Sequence, residues 1–322
     1  MSLLEINNLN IDYLTEEADV HALRGITLSL EKGDSIGLVG ETGAGKTTTA
    51  LSILGLLPPQ QSAVRGGEIK WRGDDLLKKS SKDLEAVRGK EIAMIFQDPM
   101  TSLNPLIKVD EQVAEMIRLH DKKLSKKDSL RLALQQLLSV GIQAERCNEY
   151  PHQFSGGMKQ RVVIAMALAC SPNLLIADEP TTALDVTIQS QVLELMKTLI
   201  KENGTTLIMI THDLGIVSEL CETIAIMYAG EILELATKDQ LFDNPMHPYT
   251  HGLLASIPDV TVEKERLATL PGLPPEPTED IKGCSFTPRC SRCIDRCRNE
   301  RPVLSEEEKN HSLACFNPYR KS

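Results

Sequence analysis

The apolar residues in the first part of the chain, up to about Trp71, occur in short runs typical of β-strands. These runs are Leu3–Ile11, Leu23–Leu30, Ser35–Val39 and Gly67–Trp71. The third run leads into Gly40, and Thr47–Leu57 then carries apolar residues at helical spacing. The pattern predicts a β-rich N-terminal region, with a strand, a glycine-rich loop and a helix in direct succession.

From about Pro99 to Ala169 the apolar residues recur at helical spacing instead. The segments Val109–His120, Lys126–Ser139 and Met158–Ala169 each predict a helix. Ser125 and Asp128 predict a capping pair at the start of the second helix. We therefore expect a helical subdomain, inserted at about residues 99–169.

Continuous apolar runs return after this insertion. Leu174–Ala177 and Thr206–Ile210 predict buried strands, with a helix from about Thr187 to Glu202 between them. Such an alternation is typical of a parallel sheet covered on both faces, and thus of an α/β fold. After about Leu241 prolines become frequent, so we expect one domain over residues 1–240 and an appended extension over residues 241–322.

Composition restricts the class of protein. The 322 residues are 41% hydrophobic and 25% charged, as in ordinary globular domains, and the formal net charge is −10. This acidity disfavours nucleic acid as a main partner. The longest apolar run, Val162–Cys170, is well short of the roughly 20 residues of a membrane helix. Met1–Glu5 does not resemble a signal peptide, so we expect a cytoplasmic protein that reaches a membrane only through a partner.

The glycine-rich loop has the residues that bind a nucleoside triphosphate. Its members are Gly40, Glu41, Thr42, Gly43, Ala44, Gly45, Lys46, Thr47 and Thr48. Glycines let backbone N–H groups curl around a phosphate, Lys46 meets the β- and γ-phosphate charge, and the Thr47 hydroxyl coordinates Mg²⁺. The alternative, a glycine-rich turn before an ordinary helix, does not account for Lys46 and Thr47.

Polar side chains follow three of the apolar runs. Asp178 and Glu179 end Leu174–Ala177, His212 follows the next run after Thr211, and Gln97 follows Ala93–Phe96. Ligands of parallel sheets bind at this edge. Asp178 and Gln97 are expected to bind Mg²⁺, Glu179 to act as the base toward the attacking water, and His212 to reach the γ-phosphate. The alternatives are an acidic turn cap, a structural histidine and a glutamine that merely begins a loop.

A second candidate anion site lies at Ser155, Gly156 and Gly157, before the predicted helix Met158–Ala169. Ser155 is the expected N-cap, and the unpaired N–H groups of a helix start attract anions. A capped helix start without a ligand is the plain alternative. Two phosphate sites in a chain with one phosphate loop predict that a second subunit completes each site.

These motifs, in this order and together with Ala183-Leu184-Asp185, resemble the nucleotide-binding subunits of ABC transporters over essentially the whole chain. The resemblance implies an ABC-type P-loop NTPase core with an N-terminal antiparallel β subdomain. It also implies a head-to-tail dimer in which the phosphate loop and the Ser155–Gly157 signature face different ATP molecules, with Asp185 in the loop that links the sites. Tyr13 resembles the aromatic residue that stacks on adenine, or is an ordinary strand residue.

Finer features narrow the resemblance to the ATPase subunits of dipeptide and oligopeptide importers. They are Gln97–Pro105, Tyr150–Gln153, His247–Thr250 and Leu270–Gly272. The resemblance implies a different second ATPase subunit, two membrane permease subunits, an extracytoplasmic solute-binding protein and a peripheral position on the cytoplasmic face. Nickel or other small-solute importers, an ABC ATPase acting on DNA ends or ribosomes, and a regulatory subunit with little hydrolysis remain alternatives.

The C-terminal end is rich in cysteine. Cys284, Cys290, Cys297 and Cys315 are separated by 5, 6 and 17 residues, with Cys293 left over. Arg289, Arg292, Arg296 and Arg298 are interleaved with them, and four thiolates with guanidinium neighbours suit an iron–sulfur cluster. Some peptide-importer ATPases that this chain resembles carry a [4Fe–4S] cluster in such a tail. Zinc and reduced free thiols are the alternatives.

Overall fold

The computed structural model describes residues 2–182, 184–256 and 270–320. Within these ranges the strands are β1 Leu4–Leu14, β2 Asp19–Leu30, β3 Ser35–Val39, β4 Ser62–Trp71, β5 Asp74–Asp75, β6 Ile92–Ile95, β7 Leu174–Asp178, β8 Thr206–Thr211, β9 Thr223–Tyr228, β10 Glu231–Thr237, β11 Ser305–Glu308 and β12 His311–Leu313. The helices are α1 Lys46–Ile53, α2 Ser81–Val87, α3 Pro99–Ser102, α4 Val109–His120, α5 Lys126–Ser139, α6 Gly156–Leu168, α7 Val186–Asn203, α8 Leu214–Leu220, α9 Lys238–Asp243, α10 Pro248–Ala255 and α11 Asp295–Asn299. Short 3₁₀ turns lie at Leu76–Lys78, Ala144–Arg146, Pro151–Gln153 and Thr287–Arg289.

Two compact units make up the described chain. Unit 1 contains residues 2–3, 30–35 and 76–210, and unit 2 contains residues 4–29, 36–75 and those from 211 onward. Each unit joins segments that are distant in sequence, so neither could be recognised from one continuous stretch. The predicted boundary near residue 240 stays a prediction.

Unit 1 contains a parallel sheet in which β7 lies between β6 and β8. Ile92 of β6 is opposite Leu174 of β7, and Leu174 is opposite Thr206 of β8. All five residues of β7 are buried, and its four apolar ones have no exposed surface. The structure thus confirms the predicted parallel pairing of continuous apolar strands.

The helices of unit 1 follow the predicted pattern closely. Helices α4 and α5 have the predicted bounds, and α4 buries Val109, Val113 and Ile117, which lie on one face at intervals of four residues. The hydroxyl of Ser125 accepts a hydrogen bond from the Asp128 N–H at 3.1 Å, which confirms the predicted cap. None of the described helices is long and apolar enough to cross a membrane.

Unit 2 contains a four-stranded sheet and five strands of a second sheet. The first has the order β2-β1-β4-β5, with β1 and β4 antiparallel and Leu4 opposite Trp71, as expected for the N-terminal β region. In the second, β3 pairs with β9 in parallel, while β10 pairs in antiparallel fashion with β9 and β12. The short strand β11 completes this sheet beside β12.

A buried carboxylate joins distant segments of unit 2. Glu234 of β10 has no exposed surface, and it accepts hydrogen bonds from the N–H groups of Met246 and His247 at 2.7 and 2.9 Å. It also lies 2.7 Å from Nε2 of the buried His311 on β12. These hydrogen bonds outweigh the burial, which by itself would raise the pKa of Glu234, and they lower that pKa below its usual range. The carboxylate thereby fixes the segment that begins α10.

Candidate functional site

The phosphate loop connects β3 to α1 in unit 2, and its glycines are required by its backbone. Gly43 and Gly45 have φ angles of 82° and 98°, a region that side chains other than glycine rarely occupy. A Cβ on Gly40 would lie 2.1 Å from the Met227 carbonyl oxygen of β9. The close approach of two backbones, not flexibility, therefore requires glycine at position 40.

Lys46 is directed back along this loop. Its ammonium group donates hydrogen bonds to the carbonyl oxygens of Gly40 at 2.7 Å and Glu41 at 3.0 Å, and the residue is only 8% exposed. Thr47 is exposed at the start of α1. A charged group with fixed direction, next to an exposed hydroxyl at a helix N-terminus, has the chemistry of a triphosphate and Mg²⁺ site.

Glu41 in the loop is held by two residues that sequence reasoning did not assign to it. Its N–H donates to the Tyr249 hydroxyl at 3.2 Å, and its Oε2 lies 2.9 Å from Nη1 of Arg289. Burial opposes the charge of Arg289, but the hydrogen bonds with Glu41 and Tyr228 raise its pKa above the usual value. Nothing in the spacing of these residues along the chain indicates this contact, because more than 200 positions separate the partners.

Tyr13 lies on β1 of the same unit. Its hydroxyl is 3.3 Å from Oγ1 of Thr48, the third residue of α1. The tyrosine thus stands beside the helix that begins at the phosphate loop. This position fits the predicted contact with adenine, which stays a prediction.

His212 also belongs to unit 2. It is exposed and follows β8 directly, while the next residue, Asp213, caps α8 by accepting the Gly215 N–H at 2.7 Å. The predicted position after the strand is thus present, and the role of the imidazole stays a prediction.

In unit 1, Glu179 and Gln97 come together. The Gln97 amide donates to Oε2 of Glu179 at 3.0 Å, and the Thr182 hydroxyl donates to the same oxygen at 3.0 Å. Glu179 has a φ of 46°, which is uncommon for a side chain of this size and costs roughly 1–3 kcal/mol. Its N–H donates to the Ile210 carbonyl oxygen at 2.8 Å, which supports that backbone. Strained carboxylates that the surroundings hold in place are typical of active sites.

Asp178 precedes Glu179 as the last residue of β7 and is 3% exposed. Its carboxylate belongs to the class of oxygen ligands that Mg²⁺ prefers. Of the motif at positions 183–185, Ala183 lies outside the described residues. Asp185 caps α7 by accepting the Ile188 N–H at 3.0 Å.

Ser155, Gly156 and Gly157 form the start of α6, as predicted. Ser155 is exposed and accepts the Met158 N–H at 3.4 Å, so it is the N-cap. A Cβ on Gly157 would come within 2.4 Å of Cγ2 of Ile188 on α7, whereas one on Gly156 would meet only Leu184, at 3.6 Å. The capped helix start is confirmed, and anion binding there stays a prediction.

All eight cysteines lie in the described residues, and none forms a disulfide. Burial raises the pKa of Cys284 to about 12, with Cys297 and Cys315 adding to the shift. Burial likewise raises the pKa of Cys290, and the charge of Cys297 adds to this shift. The four predicted ligands therefore lie in one region of unit 2. However, no group of three or more His, Cys, Asp or Glu side chains in the described residues could hold a metal ion, so the predicted cluster is not supported.

The arginines among the cysteines have other partners than the predicted cluster. Arg289 pairs with Glu41, as described above. The Arg292 guanidinium lies 4.5 Å from the ring centroid of Tyr319, and that of Arg296 lies 4.0 Å from that of Phe316. These guanidinium groups thus contact a carboxylate and aromatic rings.

Comparison with known proteins identifies the class. Residues 23–182 match the family model described as ABC transporter, and residues 233–297 match the one described as oligopeptide/dipeptide transporter, C-terminal region. A probable peptide ABC transporter ATP-binding protein of Sinorhizobium fredii is 48% identical over 317 residues, which cover 98% of this chain and 94% of the relative. The oligopeptide transport ATP-binding protein OppD of Salmonella typhimurium is 43% identical, again covering 98% and 94% of the two chains.

Solved structures agree with the family models. A dimeric ATP-binding cassette in a post-hydrolysis state, bound to ADP and Pi, is 28% identical, with a TM-score of 0.65, and the match covers 73% of this chain and 98% of that one. The chain therefore belongs to the ABC transporter family and is an ATP-binding, ATP-hydrolysing member of it. This confirms the predicted P-loop NTPase fold.

Proposed function

We propose that this chain energises the uptake of dipeptides or oligopeptides across the cytoplasmic membrane by hydrolysing ATP. The observation that carries the proposal is the match of residues 233–297 to the C-terminal region of oligopeptide/dipeptide transporters. It occurs in a chain whose relatives, matched over nearly their full length, are named peptide transport proteins. An importer of nickel or another small solute is the alternative, since the solute is bound by other subunits.

The phosphate loop, Gly40–Thr48, binds the triphosphate in this proposal. Lys46 neutralises the β- and γ-phosphates, and Tyr13 stacks on adenine. The Thr47 hydroxyl, the Gln97 amide oxygen and the Asp178 carboxylate are each an oxygen ligand of the kind that would hold Mg²⁺. When bound, the ion neutralises charge that develops on the transferred phosphoryl group.

Glu179 is the general base in this mechanism. Two hydrogen bonds fix the orientation of its carboxylate, which lets it polarise the attacking water. His212 stabilises the γ-phosphate. Ser155, Gly156 and Gly157 bind the γ-phosphate of the ATP held by the partner's phosphate loop, with Asp185 linking the two sites.

The proposed partners are those that the family resemblance implies. A second ATPase subunit of a related but different sequence forms the head-to-tail dimer, and dimerisation is the state of the solved cassette described above. Two membrane permease subunits and an extracytoplasmic solute-binding protein complete the importer. The chain then lies on the cytoplasmic face as a peripheral subunit.

The test of this function uses the intact importer in proteoliposomes. Glu179→Gln is expected to retain ATP binding and to reduce the contribution of this subunit to turnover and peptide uptake by about 100-fold or more, since a general base typically contributes about 10²–10⁴-fold. Glu194→Gln, an exposed glutamate on α7, is the control and should match wild type. Normal turnover in Glu179→Gln would refute the assigned base. Competition by nickel chelates but not by peptides would favour the alternative solute.

We further propose that Cys284, Cys290, Cys297 and Cys315 ligate a [4Fe–4S] cluster, with Zn²⁺ as the alternative. The proposal rests on four thiols in one region of unit 2, where the Cys284 N–H donates to the Cys297 carbonyl oxygen at 2.8 Å, and not on a preformed metal site among the described side chains. A bound cluster would cross-link and stabilise a region with few helices and strands. The test is metal and acid-labile sulfide analysis of protein purified without oxygen. A brown protein that contains iron supports the cluster, and a protein that contains zinc supports the alternative. A protein without either metal would overturn both proposals.

A further inference from the structure

We propose that Arg289 and Tyr249 are positioning residues which hold Glu41 and thereby set the conformation of the phosphate loop for ATP. The proposal rests on the proposed role of Gly40–Thr48 in binding the triphosphate. It extends the site to side chains far from the loop in sequence, in regions that the sequence assigned to other tasks.

The ion pair between Arg289 and Glu41 is the first observation. The Arg289 side chain is only 5% exposed, and a buried guanidinium is costly unless it is paired and hydrogen-bonded. Its Nη1 meets Glu41 at 2.9 Å, and its Nε donates to the Pro271 carbonyl oxygen at 3.0 Å. The guanidinium plane is therefore fixed by partners on two sides, so it holds the glutamate in one direction.

Tyr249 supplies a second, independent anchor. Its hydroxyl accepts the Glu41 N–H at 3.2 Å, while its ring has no exposed surface. The ring centroid lies 4.8 Å from that of Tyr228 and 5.3 Å from that of Phe286. Tyr249 is thus locked by aromatic packing, and Glu41 is held through both its side chain and its backbone.

The carbonyl group of Glu41 transmits this anchoring to the loop. It accepts a hydrogen bond from the Lys46 ammonium at 3.0 Å and another from the Ala44 N–H at 3.2 Å. A shift of Glu41 would therefore move the acceptor that orients Lys46. The Glu41 N–H, which donates to Tyr249, belongs to the same peptide group as the Gly40 carbonyl, and the oxygen of that carbonyl accepts the other Lys46 hydrogen bond at 2.7 Å.

The expected benefit is preorganisation. If the loop becomes ordered only when ATP binds, the entropy lost on ordering lowers the affinity for ATP. A loop that is already held in its bound conformation avoids this loss. Arg289 and Tyr249 act through Glu41 and contact no reacting atom in this proposal. Their removal should therefore weaken ATP binding in addition to any change in the stability of the chain.

The experiment measures Mg-ATP binding to the purified full-length chain by calorimetry, together with the melting temperature without nucleotide. Arg289→Gln is expected to weaken binding about tenfold. Arg289→Lys keeps the charge and should recover part of the loss, and Tyr249→Phe, which removes only the hydroxyl, should weaken binding several-fold. Arg292→Gln is the matched control, because Arg292 lies in the same region but bonds to Asn317 and not to the loop.

A double-mutant cycle separates positioning from general destabilisation. If Arg289 acts through Glu41, then Glu41→Gln combined with Arg289→Gln should bind ATP no more weakly than the worse single variant. Unchanged affinity in Arg289→Gln and Tyr249→Phe, with only a lower melting temperature, would overturn the proposal. Lys46→Ala tells the two failures apart: if it also binds ATP normally, the assigned phosphate loop is wrong as well.

Discussion

The phosphate loop and the signature start of α6 are both predicted to bind phosphate, yet they are built differently. The phosphate loop is shaped by distant residues: Met227 forbids a side chain on Gly40, while Tyr249 and Arg289 hold Glu41. In the signature, Ser155 caps the helix through the nearby Met158 N–H, and a distant residue limits only Gly157, where a Cβ would lie 2.4 Å from Cγ2 of Ile188.

This difference shows why the two sites should respond differently to mutation. A helix start is specified by one or two side chains in the sequence itself, and its N–H groups are unpaired by geometry. A phosphate loop that is ordered before ATP binds needs partners from elsewhere in the fold. We therefore expect changes in distant residues to disturb the phosphate loop more than the signature.

The largest effect is expected from adding a methyl group at Gly40. Its Cβ would lie 2.1 Å from a backbone oxygen, so Gly40→Ala should destabilise the chain by about 1–3 kcal/mol, the usual range for overpacking, and abolish measurable ATP binding. Gly156→Ala meets only a side chain, at 3.6 Å, and should fold and bind ATP like wild type. Thermal melting and calorimetry check both variants. Equal effects would contradict the comparison.

Acid should weaken the region that supports the phosphate loop. Burial lowers the pKa of His247 from 6.5 to about 4, so folded His247 stays neutral where the unfolded chain binds a proton. The stability that depends on neutral His247 is fully present above pH 6.5. It is lost as the pH falls toward 4, by about 1.4 kcal/mol of unfolding free energy per pH unit.

The measurement is the melting temperature between pH 7.5 and 5. Nδ1 of His247 accepts the Tyr249 N–H at 3.0 Å as the cap of α10, a role that asparagine can also fill. His247→Asn should therefore flatten the pH dependence. A slope as steep as that of wild type would assign the acid sensitivity to other groups.

The smallest effect on stability is expected at the signature. Ser155→Ala removes an N-cap and should cost about 1 kcal/mol. Ser125→Ala removes a similar exposed cap and should lower the free energy of unfolding by about the same amount. The capping hydrogen bond is 3.1 Å long at Ser125 and 3.4 Å at Ser155. Only Ser155→Ala should reduce ATPase activity in the assembled importer, and neither should change ATP binding by the chain alone. If Ser125→Ala lost as much ATPase activity as Ser155→Ala, the role of Ser155 would be that of a structural cap only.

Much of the fold could be predicted from local patterns. The bounds of α4, α5 and β3 agree with the prediction, because apolar periodicity and caps act over a few residues. The shared position of Gln97 and Glu179 also agrees with the prediction, since both residues follow parallel strands at one edge of a sheet, although the hydrogen bond between them was not predicted. The left-handed backbone of Glu179 could not be predicted, because it depends on its bond to Ile210.

The cysteine-rich end shows the limit of this reasoning. Its arginines were interpreted as neighbours of a cluster, but in the fold Arg289 lies against Glu41 and Arg296 against Phe316. Spacing along the chain suggests which residues share a chemistry. It does not indicate which residue a long charged side chain will contact in the fold.

By itself, the sequence determined the order of strands and helices, the two phosphate-binding motifs and the class of protein, because each depends on residue types at short, regular intervals. Only the tertiary structure decided what holds the phosphate loop in place. Glu41, Tyr249 and Arg289 meet because the sheet and the C-terminal region of unit 2 fold together, and contacts across more than 200 residues leave no periodic trace in a sequence.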